Sequence, residues 1–307
     1  MNFERAVIIK SLTSLEQLLI RHNTRSQAQF YIEHNGGDFS LYESQHEEYQ
    51  TGLAEIQQYC NQQIKTITVE REYLTSFLFD EKDLVIVVGP DGLVANAAKY
   101  VQNCPIIGVN VNPSANIGKL LAFDLTSFLN RFISILQDEI QYKTVYLAKA
   151  QLNDGQELLA FNDFFIGKAD HTSARYRINY SGRLEQQSSS GILVSTKAGS
   201  TAWLSSIMNE FRGLQQFLGL KAEVSAAQLE VAEDKLCFVV REPYRSPATQ
   251  ADVVSGYVDN SCQLEIESMM PEGGIIFSDG IMNDYLQFNS GSHLKNGLAK
   301  QRVKLIQ

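Results

Sequence analysis

Residues 83–113 constrain the fold more than any other stretch. Residues 84–88 are an unbroken apolar run, bounded by Asp83 on one side and Gly89-Pro90 on the other. That is the pattern of a parallel strand buried on both faces. Gly89-Pro90-Asp91-Gly92 then turns the chain, and Leu93, Ala97, Ala98 and Val101 recur at helical spacing. A second apolar run at 106–111 closes a unit of about thirty residues, the size of a βαβ crossover. The first turn of such a unit lies at the carboxyl end of a strand, where open α/β sheets bind ligands. Asp91 stands in that turn.

The residues before this unit also alternate strand with helix. Residues 6–9 read as a strand, and Thr13 and Glu16 have the spacing of a capping box opening a helix to about residue 22. Helix continues through 23–34 until Asn35-Gly36-Gly37-Asp38 breaks it. From Tyr42 a further helix buries Tyr49, Leu53, Ile56 and Cys60 and turns Glu43, Glu47, Glu48 and Glu55 to water. A strand at 64–69 follows. The expectation for 1–140 is an α/β nucleotide-binding domain with a parallel sheet.

After an amphipathic helix at 125–136 the texture changes. Short alternating runs at 144–152, 158–167, 175–180, 184–187, 191–195, 229–231, 236–240, 253–258 and 263–268 are separated by turn residues. One helix, 201–220, interrupts them. Residues 141–307 are expected to form a β-rich antiparallel domain, with the tail at about 275–307 packing back on the first domain.

A formal charge of −9 leaves no basic footprint for a nucleic-acid backbone. An anionic ligand must instead be held by local donors such as helix N-termini and turn amides, which points to a small partner. Cys60, Cys104, Cys237 and Cys262 form no Cys-x-x-Cys pair and read as reduced thiols. The five histidines form no close pair at ligand spacing, and no metal site is expected. The first residues lack a long apolar core and no run of about 18 apolar residues occurs, so the expected location is cytoplasmic, away from membranes.

Three stretches could carry chemistry. In Gly89-Pro90-Asp91-Gly92, Asp91 can serve as a general base toward a hydroxyl and Gly92 admits a phosphate closely; the same residues also make a plain β-turn. Asn162-Asp163 sits inside an apolar strand at 158–166, where it either caps its own backbone or accepts from ribose hydroxyls or an amide. In the strand, turn and helix of 191–203, Ser200 or Thr201 can cap the helix, while Lys197, Gly199 and the helix N-terminus can hold an anion. Gly118-Lys119 is no phosphate-binding loop, because Leu120 follows it and no glycine stands five residues before Gly118. A dinucleotide Gly-x-Gly-x-x-Gly after a strand is absent too.

Together the three stretches resemble the NAD kinase family, within the superfamily that includes diacylglycerol-type lipid kinases. The family's Gly-Gly-Asp-Gly is similar to residues 89–92, its Asn-Glu to Asn162-Asp163, and its Thr-Gly-Ser-Thr-Ala-aromatic motif to residues 198–203. Residues 107–110, 187–191, 241–243 and 277–280 add to the likeness in the same order. The resemblance implies NAD bound between an α/β and a β-rich domain, with Asp91 as the base on the adenosine ribose 2′-hydroxyl. Gly89, Gly92, Asn162, Asp163, Lys197, Gly199, Ser200, Thr201, Ala202 and Trp203 would bind the nucleotides. ATP with Mg²⁺, or polyphosphate, would be the phosphoryl donor, and the assembly a homodimer or homotetramer.

Departures from the family pattern are local. Pro90 replaces a glycine and removes an N–H, Leu93 replaces a usual threonine, and Asp163 is one methylene shorter than glutamate. They leave two alternatives to NAD kinase activity: a kinase acting on a nucleoside or sugar hydroxyl, and a non-catalytic NAD(P)-binding protein.

Overall fold

The computed structural model describes residues 3–101, 103–113, 118–137, 141–220 and 230–307. The chain divides into two compact units, residues 1–144 with 303–307, and residues 145–302.

The first unit runs β1 (Arg5–Lys10), α1 (Ser14–His22), α2 (Arg25–His34), α3 (Phe39–Gln63), β2 (Lys65–Glu70), β3 (Asp83–Val88), α4 (Asp91–Ala98), β4 (Pro105–Asn110), β5 (Phe123–Asp124) and α5 (Leu125–Leu136). Its strands are parallel: β1 lies between β2 and β3, and β3 pairs β4, with β5 alongside the end of β4. Every residue of β3 is buried, as its apolar run predicts. Full burial of such side chains contributes roughly 1.5–3 kcal/mol each. Asp83 opens β3 from inside the core rather than at its edge, 1% exposed, and the Arg5 guanidinium donates to both of its oxygens at 2.7 and 2.5 Å.

The capping box forms: Thr13 accepts from the Glu16 amide while the Glu16 carboxylate accepts from the Thr13 amide. The expected continuous helix through 23–34 is instead two. Asn23 takes a left-handed conformation, φ 61°, and Thr24 caps α2 afresh. An Asn-Thr pair offers side-chain hydrogen bonds that compete with the helical ladder, a signal that the apolar spacing alone does not carry.

The second unit contains β6 (Tyr142–Leu152, which begins in the first unit), β7 (Glu157–Ala160), β8 (Asp163–Lys168), β9 (Ala174–Tyr180), β10 (Arg183–Ser189), β11 (Ile192–Ser195), α6 (Trp203–Phe217), β12 (Leu236–Val240), β13 (Ser255–Val258), β14 (Leu264–Ser268), β15 (Gly274–Ser278), β16 (Ile281–Gln287) and most of β17 (His293–Ile306). One sheet has the antiparallel order β13-β12-β11-β8-β15-β16. In a second, β10, β9, β14 and β17 follow one another antiparallel, and β6 pairs β7. Residues of both sheets, among them Phe164, Ile166, Tyr176, Ile178, Phe238 and Ile266, share one hydrophobic core. The last residues of β17 pair in parallel with β4, Lys304 opposite Pro105 and Leu305 opposite Ile106.

Two strand readings change. The expected strand at 229–231 begins outside the described residues, and Val231 is buried but lies in no strand. The expected single strand at 158–167 is two, β7 and β8, which belong to different sheets. Phe161 and Asn162 form the passage between them.

Candidate active site

In the first unit the fully buried β3 delivers the chain to Gly89, whose φ of +153° favours glycine and where a Cβ would come within 3.0 Å of Leu93. Pro90 is the N-cap of α4 at φ −73°, a value its ring holds without cost. It removes an N–H at a position that helical hydrogen bonding does not use, while its carbonyl accepts the Leu93 N–H at 2.9 Å. Over Gly92 no atom of the described residues lies within 4 Å of where a side chain would begin, which leaves the main chain there open to a ligand among the described residues.

Asp91 is the first residue of α4 and half-buried. Its Oδ1 accepts the Leu120 N–H at 2.6 Å. Among the described residues nothing donates to Oδ2. The segment that carries Leu120 approaches over two glycines. A Cβ on Gly108 of β4 would sit 2.3 Å from the Leu120 carbonyl oxygen, and one on Gly118 would sit 2.4 Å from Asp91 Oδ1.

In the second unit the centre is the passage between β7 and β8, and it corrects the reading of Asn162-Asp163 as a pair inside one strand. The Asp279 carboxylate accepts three successive main-chain N–H groups, from Phe161 at 2.9 Å, Asn162 at 2.6 Å and Asp163 at 3.3 Å. Those amides are thereby taken from any strand ladder, and the strand must break. Asp279 stands with Gly280 in the two-residue turn between β15 and β16, at φ 52° and 71°, the geometry for which Asp-Gly is favoured. Sequence reading noticed residues 277–280 only as part of a likeness. The Asp-Gly signal announces the hairpin but not the amides its carboxylate meets.

The carbonyl side of the passage is fixed as firmly. The Asn162 oxygen accepts from the Thr196 N–H at 2.9 Å and the Thr196 hydroxyl at 3.2 Å, and that hydroxyl donates to the Phe161 oxygen at 2.6 Å. Gly199 N–H donates to Thr196 Oγ1 at 3.1 Å. A Cβ on Gly199 would lie 2.1 Å from the Asn162 oxygen, so the Gly199 turn can seat here only as glycine. Thus Asn162, Asp163 and Gly199 are brought together, and Thr196 joins them as a residue that sequence reading passed over.

Asp163 is 5% exposed. Burial first, and the neighbouring Asp279 carboxylate second, push its carboxyl up to about 7.

The helix expected from Thr201 begins at Trp203, after a tight 3-10 turn at Ala198–Thr201, and its N-cap is Ala202 with no side-chain cap. Neither Ser200 nor Thr201 caps it. Ser200 Oγ donates instead to the Lys197 carbonyl at 2.7 Å. Lys197 is half-exposed and pairs with Glu233 at 3.3 Å. Trp203 stacks on Phe165 at 5.8 Å between ring centres, with Phe277 at 6.5 Å and the Arg241 guanidinium over its ring at 5.3 Å. Among the described residues no group of three or more His, Cys, Asp or Glu is placed to hold a metal ion, and no helix is long and apolar enough to cross a membrane.

No family model matches the chain. An NAD kinase of Clostridium tetani is 29% identical over 133 residues, covering 39% of this chain and 46% of that protein. One of Rickettsia akari is 31% identical over 130 residues, covering 40% and 49%. The aligned residues thus span about half the length of these curated relatives. The solved NAD kinase from Archaeoglobus fulgidus in complex with ATP superposes with a TM-score of 0.56 at 13% identity, covering 99% of this chain and 93% of that one. Yeast NADH kinase complexed with NADH gives 0.57 at 13%, covering 100% and 84%.

Proposed function

We propose that this chain, whose fold superposes on solved NAD and NADH kinases and part of whose sequence aligns with curated NAD kinases, is a phosphotransferase that moves the γ-phosphoryl of ATP to the adenosine ribose 2′-hydroxyl of NAD, giving NADP. The observation that carries the proposal is Asp91, set at a helix N-terminus after a fully buried strand with one carboxylate oxygen held and the other uncommitted among the described residues. Oδ2 takes the hydroxyl proton as the ribose oxygen attacks phosphorus and ADP leaves. Mg²⁺ enters on the phosphates of ATP as part of the substrate, since phosphoryl transfer depends on charge neutralisation and positioning. Gly89, with its positive φ, shapes the turn that receives phosphate, and Gly92 leaves the main chain there open among the described residues. Asn162 and Asp163 bind NAD hydroxyl or amide groups, and Gly199, Ser200, Thr201, Ala202 and Trp203 shape the nucleotide pocket. Lys197 is available to phosphate by exchanging Glu233, because an exposed ion pair is worth only ~0–1 kcal/mol. A cytoplasmic location and a homo-oligomeric state belong to the same proposal.

Pro90 gives the alternatives their footing, and one assay separates them. Wild type and Asp91→Asn are incubated with Mg-ATP and NAD, and NADP is read by a coupled dehydrogenase. The expected result is NADP from the wild type and a fall of ~10²–10⁴-fold in the variant, the usual worth of a positioned general base. Equal rates would remove Asp91 from the chemistry. ADP release only with nucleosides or sugars would move the substrate elsewhere. No turnover, but a melting temperature raised by NAD, would make this a binding protein.

A further inference from the structure

Gly118 and Leu120 belong to a stretch that sequence motifs leave without a role. Two glycines admit it: Gly108, where a Cβ would come 2.3 Å from the Leu120 oxygen, and Gly118, where a Cβ would come 2.4 Å from Asp91 Oδ1 and 2.6 Å from its Cγ. The Leu120 N–H then binds Oδ1 at 2.6 Å. We propose that the segment 118–120 is the positioning element for the Asp91 carboxylate, with Gly118 as the residue that sets its aim. By engaging Oδ1 it fixes the carboxylate plane and presents Oδ2, which accepts no hydrogen bond among the described residues, to the substrate proton. The inference rests on the kinase reading for what the aimed oxygen does, but not for the contact itself.

The two glycines differ in what a side chain would strike. At Gly108 it is main chain, which cannot yield cheaply. At Gly118 it is the far end of the Asp91 side chain, which can swing away at little cost to the fold, and Gly118 has no positive φ. Gly118→Ala is therefore expected to leave stability nearly intact and to turn the carboxylate off its target. Misplacement of a reacting group by an ångström costs on the order of 100-fold.

The test uses the full chain. In Gly118→Ala, kcat for NADP formation should fall by ~100-fold with KM for NAD changed less than about twofold. The melting temperature should stay within about 2 °C. The second readout is amide hydrogen exchange at Leu120, which should quicken by about tenfold or more in both Asp91→Ala and Gly118→Ala as the acceptor is lost or displaced. A kcat within about twofold of wild type, or a rise in KM alone, overturns the positioning role. Leu120 exchange unchanged in Asp91→Ala overturns the contact. If the wild type forms no NADP the kinase reading falls, while the exchange measurement still decides whether this amide holds this carboxylate.

Discussion

Asp91 begins a helix and Asp163 begins a strand, and the molecule holds the two carboxylates in opposite ways. Asp91 is half-buried, and a single N–H together with the missing side chain of Gly118 sets its direction. Asp163 is 5% exposed and rides on main chain whose three N–H groups are bound to Asp279 and whose neighbouring carbonyl is bound by Thr196. The first arrangement is a side chain aimed by one contact, so small changes redirect it without unfolding anything. The second is a backbone corner tied from several sides, so changes to it are felt as stability. In the proposed kinase the division fits the tasks, since a base must meet a moving proton and a binding corner must keep its shape.

The comparison is broken most directly at Asp279. Asp279→Ala leaves three amides without their acceptor, and hydrogen bonds to a charged group are worth ~1.5–3 kcal/mol each without being additive. A loss of about 3 kcal/mol is expected, read by urea unfolding through Trp203, the one tryptophan of the sequence and a residue of the second unit. A loss below about 0.5 kcal/mol, the range of an ordinary surface change, would mean that the corner is not tied through Asp279.

A smaller effect comes from Asp163 itself. Its folded value of about 7 lies above that of an unfolded aspartate, ~3.9, so between these pH values the native state keeps a proton the unfolded chain has released. The linked stability is complete below about pH 4 and drains away as pH rises through 7. Asp163→Asn cannot release that proton. Relative to wild type it should gain at least ~1.4 kcal/mol on going from pH 5 to pH 8, one pKa unit's worth. Thermal melts of both proteins across that range measure the difference, and parallel curves would show that Asp163 is not held neutral by burial.

Least is expected of Lys197→Ala. The pair with Glu233 is solvent-exposed on both sides, so its loss should cost under about 1 kcal/mol. A rise in KM for ATP with unchanged melting temperature would sharpen the contrast by giving Lys197 to phosphate. No change in either leaves it a surface charge.

Much of the site was legible in the sequence because its carriers are local patterns. The run at 84–88 became β3, the turn residues at 89–92 placed Asp91 at the start of α4, and the Thr13–Glu16 box formed as spaced. The errors arose where a distant group intervened. Periodicity runs straight through Phe161 and Asn162, but the Asp279 carboxylate, 117 residues from Asn162, takes their amides and ends the strand. Likewise Ser200 and Thr201 are good caps by type, yet the tight turn that packs Gly199 against the Asn162 carbonyl delays the helix to Trp203.

By itself the sequence determined most of the strand and helix segments, the change from parallel α/β to antiparallel β texture, and the presence of Asp91 just after a buried strand. Those follow from side-chain spacing and turn chemistry, which act over a few residues. Only the tertiary structure decided where Asp91 points, which carboxylate ties down Asn162 and Asp163, and that burial pushes the Asp163 carboxyl up to about 7. These depend on amides, carbonyls and empty glycine faces brought together from far along the chain, and hydrogen bonding and desolvation act on distance in space alone.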